Sequence, residues 1–66
     1  MNLQVNGQDR QFDTPMTVET LLKHLELEGE RIAVECNGTI LTREDCTTQV
    51  LADGDKLEIV RFVGGG

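Results

Sequence analysis

The 66-residue chain has no serine, tryptophan or tyrosine, one histidine, one proline and two phenylalanines. Without serine, a Ser-His-Asp arrangement is excluded. Phe12 and Phe62 are too few for a base-stacking platform, and twelve acidic residues against six basic ones give a net charge of −6 that repels phosphate backbones. Nucleic acid is therefore not an expected partner. No run approaches the ~20 apolar residues that span a bilayer, so no membrane is expected either. Met1 leads into Asn2-Leu3-Gln4 rather than a basic stretch and an apolar run, which makes the cytoplasm the expected location.

Cys36 and Cys46 stand ten residues apart, with no CxxC pair and His24 as the single histidine. A zinc site needs more close-spaced ligands, so no bound metal or cofactor is expected. Cys36 is expected to fill a strand position as a small apolar residue, and Cys46 to lie exposed in a polar turn. A reducing compartment keeps both as thiols. His24 is expected on a solvated helix face. No set of groups assembles a catalytic site, so catalysis by this chain alone is not expected.

What is present is regular patterning. Leu3-Gln4-Val5-Asn6 alternates as a half-buried strand, and Asn6-Gly7 suits a tight hairpin turn with positive φ. Gln8 to Phe12 returns, and Asp13-Thr14-Pro15 interrupts it. Val18, Leu21, Leu22 and Leu25 form one apolar helical stripe, with Thr17 as cap and Gly29 as the left-handed residue that ends the helix. Ile32 to Cys36 is apolar at nearly every position and reads as a central strand. Asn37-Gly38 repeats the turn signal before Thr39-Ile40-Leu41, and Thr42 with Asp45 marks a capped short helical turn. Asp53-Gly54-Asp55 turns into a last strand from Lys56 to Phe62. The order predicts an α+β roll: one domain over residues 1–62 and a tail over 63–66. A domain this small buries only ~60% of its unfolded surface.

In the last strand, Leu57 and Ile59 share one face with Arg61, whereas Val60 and Phe62 share the other with Lys56 and Glu58. If Leu57 and Ile59 face the helix, Val60 and Phe62 form an exposed protein-binding patch. The alternative is a twist that turns Phe62 inward as a core cap. Beyond them, Val63 and Gly64-Gly65-Gly66 extend at most ~14 Å at ~3.3–3.6 Å per residue. A terminus without Cβ atoms is slim enough to thread a partner's active site, and the expected reactive group is the Gly66 carboxylate. Ionised at neutral pH, it resists nucleophiles until an oxygen becomes a leaving group. Adenylation with ATP on a partner enzyme is the simplest route, after which a sulfur donor displaces AMP and leaves a thiocarboxylate.

The strand-helix order resembles the ThiS family, sulfur carriers of bacterial thiamine biosynthesis. The resemblance is carried by Thr17-Val18-Glu19-Thr20-Leu21-Leu22, Ala33-Val34-Glu35-Cys36-Asn37-Gly38, Leu51-Ala52-Asp53-Gly54-Asp55 and the end from Glu58 to Gly66. It implies a ubiquitin-like β-grasp fold, with a mixed four- to five-stranded sheet packed on one main helix. It also implies adenylation of Gly66 by an E1-like adenylyltransferase (ThiF) and sulfur from a cysteine desulfurase route. Gly64, Gly65 and Gly66 would then enter a thiazole synthase (ThiG), with Val60, Phe62 and Val63 in the partner-binding region. The small subunit of molybdopterin synthase shares these features but is usually longer. A ubiquitin-like interaction module without acyl chemistry is the other alternative.

Overall fold

The computed structural model describes residues 1–28 and 31–62. The expected roles of Gly29 and of Val63, Gly64, Gly65 and Gly66 lie outside the described residues. Among these residues the order is β1 (Asn2–Val5), β2 (Gln8–Gln11), α1 (Val18–His24), β3 (Ile32–Cys36), β4 (Thr39–Leu41), α2 (Arg43–Thr48) and β5 (Lys56–Arg61). The sheet runs β2-β1-β5-β3-β4. β1 and β5 are parallel, and the other neighbouring pairs are antiparallel. The sequence places Ile32 to Cys36 centrally; the middle strand is in fact β5, with β3 beside it as an interior strand.

Local chemistry explains the elements. Asn6 and Gly7 have φ of 50° and 81°, and Asn37 and Gly38 repeat the pair at 51° and 86°. Both hairpins thus use left-handed residues, whose twist matches the flanking strands. The Thr17 side chain accepts from the Thr20 amide and opens α1. Thr42 and Asp45 form a reciprocal capping box at α2, with bonds of 3.0 and 3.1 Å.

The end of α1 differs from the expectation. The helix closes at His24 with Leu25 as its cap, and the left-handed residue is Glu26 at φ 60° rather than Gly29. The Glu26 amide donates to the Lys23 carbonyl at 3.1 Å, and the Leu27 amide donates to the Leu22 carbonyl at 2.8 Å. These two bonds define a Schellman closure, and half-buried Leu22 and Leu27 supply its usual apolar partners.

One face of the sheet packs on α1. Leu3 and Val5 from β1, Val34 and Cys36 from β3, and Leu57 and Ile59 from β5 point inward. The register aligns Val5 with Leu57 and Cys36, and Ile59 with Val34, which gives rows across the sheet. Val18 and Leu21 of α1, both fully buried, seal these rows with Met16 and Leu51. A buried aliphatic side chain contributes ~1.5–3 kcal/mol, so the seal is a main source of stability. A helix held against a mixed sheet is the β-grasp arrangement.

Candidate functional site

β5 carries the chain toward its glycine end, so the forces that fix β5 position everything beyond it. Asn6 and Asn37 grip it from opposite sides. The Ile59 amide donates to Asn6 Oδ1 at 2.7 Å, and Asn6 Nδ2 donates to the Ile59 carbonyl at 3.3 Å. The Asn6 amide donates to the Leu57 carbonyl at 2.9 Å, so its side chain continues the short parallel ladder where β1 ends. On the other side, the Lys56 amide donates to Asn37 Oδ1 at 3.0 Å, and Asn37 Nδ2 donates to Asp55 Oδ1 at 2.9 Å. The sequence marks both asparagines as turn residues. Their second task needs the register of β5, which no local pattern supplies.

Alternation along β5 is as expected. Leu57 and Ile59 are buried, while Val60 is 55% and Phe62 58% exposed. Phe62 is therefore not a buried core cap. Its amide donates to the Arg31 carbonyl at 2.9 Å, which extends the β3–β5 pairing one step past the strand. Val60 and Phe62 nevertheless line different recesses. Phe62 stands at a groove between the sheet end and the helices, floored by Leu22, Leu27, Ile32 and Leu41 and edged by Arg31 and Arg43. Val60 lines a shallow depression on the outer sheet face with Ala33, Glu35, Ile40 and Glu58. Ile40, at 73% exposure, also belongs to the outer apolar surface. Its alternation with Leu41 was the available signal, but β4 is only three residues long.

The other candidates sit apart from this face. Cys36 is buried and free. Burial, then the charge of Asp55 and a hydrogen bond to it, push its thiol above the ordinary range. Cys46 is not in an exposed turn: it lies half-buried on α2, where burial and the Asp45 charge raise its thiol. Both are protonated at neutral pH and are weak nucleophiles. His24 is exposed, with its ring edge-on to Phe12 at 5.7 Å between centroids. No group of three metal-ligating side chains occurs among the described residues. No helix among them is long and apolar enough to cross a membrane.

Comparison with known proteins gives the family. Residues 3–66 match the model of the ThiS family. The chain is 42% identical to the sulfur carrier protein ThiS of Bacillus subtilis, with 97% of this chain and 98% of that protein covered. It is 46% identical over its full length to a thiazole synthase of Paramagnetospirillum magneticum, but spans only 20% of that protein. The crystal structure of the thiamine biosynthesis protein ThiS from Geobacter metallireducens superposes with a TM-score of 0.83 at 39% identity, and each chain is fully covered. On this fold, and on a match running from β1 to the last glycine, the chain belongs to the ThiS family, the ubiquitin-like sulfur carriers of thiamine biosynthesis.

Proposed function

We propose that this chain carries sulfur as a thiocarboxylate on Gly66 and delivers it for thiazole formation. An E1-like adenylyltransferase joins the Gly66 carboxylate to the α-phosphate of ATP and releases pyrophosphate. A sulfur donor, supplied through a cysteine desulfurase, then attacks the acyl carbon. The C–S bond forms, AMP leaves with the former carboxylate oxygen, and the product is the terminal thiocarboxylate. The chain is a co-substrate in this scheme, and ATP is bound by the activating partner.

The observation that best supports this reading is the middle strand β5, clamped by Asn6 and Asn37 and leading into the Gly64-Gly65-Gly66 sequence. Clamping fixes the origin of a reach of at most ~14 Å, so docking the body defines how far the carboxylate travels. The ionised carboxylate needs activation, and both raised thiols leave the chain without a resting nucleophile for the task. Relatives in which a domain like this one forms a fifth of a thiazole synthase favour that enzyme as the acceptor partner.

Adenylation is tested by ATP–pyrophosphate exchange with the family's adenylyltransferase. Exchange should depend on the chain and vanish when Gly66 is deleted. Undiminished exchange with the deletion variant would refute Gly66 as the activated group and leave an interaction module as the better reading.

A further inference from the structure

The outer sheet face holds a feature that acyl chemistry does not require. Glu35 on β3 and Glu58 on β5 stand directly opposite each other. Backbone bonds from Phe62 to Arg31 and from Asn37 to Lys56 bracket them at the two-residue period of a hydrogen-bonded ladder. Facing side chains in such a pair have Cβ atoms ~4.5–5.5 Å apart, and like charges so placed repel. Neither carboxylate has an ion-pair partner among the described residues. Ile40 faces Glu35 from β4, and Val60 faces Ala33 one step along β5. Together they surround a depression of about 150 Å³.

We propose that this depression receives one arginine side chain of the thiazole synthase that accepts the carrier's sulfur. The proposal rests on the partner assigned above and adds the chemistry by which it is selected. Two carboxylates on neighbouring strands match the planar fork of a guanidinium, which donates to two acceptors at once. The apolar floor of Ala33, Ile40 and Val60 suits the methylene stem, as long cationic side chains cover apolar surface while their heads stay polar. A purely apolar anchor would instead cover two like charges with nothing to neutralise them. A second copy of this chain, itself at −6, is also a poor occupant. The facing glutamates thus trade sheet stability for partner choice.

The test is titration of the purified thiazole synthase with the full chain and with Glu35→Gln/Glu58→Gln. Dissociation should weaken by at least ~10-fold, the scale of losing a charge pair at an interface. Asp9→Asn/Asp13→Asn, which changes net charge equally on the exposed β1–β2 side, should shift it by less than ~3-fold. The glutamine variant should unfold at the same temperature as the parent or higher, because the facing repulsion is gone. Equal weakening in both variants, unchanged affinity in the glutamine variant, or no binding of the parent chain would each overturn the proposal. Failure of the carrier chemistry is read separately, as absence of sulfur-for-oxygen exchange in the parent chain.

Discussion

Asn6 performs two tasks that substitution can separate. Its backbone sits at φ 50°, and its side chain bonds both the amide and the carbonyl of Ile59. Glycine keeps the first task and loses the second; alanine loses both. A protein hydrogen bond contributes ~0.5–1.5 kcal/mol net, and a buried donor left unpaired costs ~1–3 kcal/mol. Ile59 is only 8% exposed, so its amide has little access to water. Asn6→Gly should therefore destabilise by about 2 kcal/mol, and Asn6→Ala by about 1 kcal/mol more from the left-handed backbone. At ~4–8 °C per kcal/mol for a domain near this size, the glycine variant should melt roughly 8–16 °C lower. Thermal unfolding by circular dichroism reads the total, and hydrogen exchange at the Ile59 amide reads the local effect. A glycine variant that melts with the parent and keeps Ile59 protected would refute the clamp.

Leu21→Ala empties a fully buried position and should cost ~2–5 kcal/mol, seen as loss of a cooperative transition at moderate urea. Glu26→Gly should raise stability by roughly 0.5–1 kcal/mol, since glycine accepts the φ of 60° freely; a lower urea midpoint would count against the Schellman closure. Cys36 predicts alkaline sensitivity. Its folded-state ionisation lies above the ordinary 9.0, so the folded chain keeps a proton that the unfolded chain releases. That contribution is complete below the unfolded value and is lost as pH rises from there through the folded value. Urea midpoints should therefore fall on the alkaline side, and Cys36→Ala should reduce the slope; an unchanged slope would exclude the thiol as its source.

The sequence reading succeeded where a residue's task depends on its neighbours in the chain. Asn-Gly at both hairpins, Thr17 before α1 and the Thr42–Asp45 pair are local signals, and all three appear in the fold. It was less complete where tertiary placement decides. The end of α1 was assigned to the nearest glycine, although Leu22 and Leu27 close the helix early around Glu26. Cys46 was placed in an exposed turn because α2 is short and polar, but packing against the core half-buries it. The exposure of Val60 followed from alternation, whereas its pairing with Ala33 and the opposition of Glu35 and Glu58 depended on register. Phe62 was expected beside Val60 and instead lines the helix-side groove, because its position lies past the end of β5.

The central claim is that Gly66 is the sulfur-bearing group, and intact mass measures it most directly. After incubation with the adenylyltransferase, ATP and a sulfur source, the full chain should gain the mass of one sulfur less one oxygen. The chain lacking Gly66 should gain nothing. A full chain of unchanged mass beside an active adenylyltransferase and sulfur source, or an equal gain without Gly66, would contradict the account.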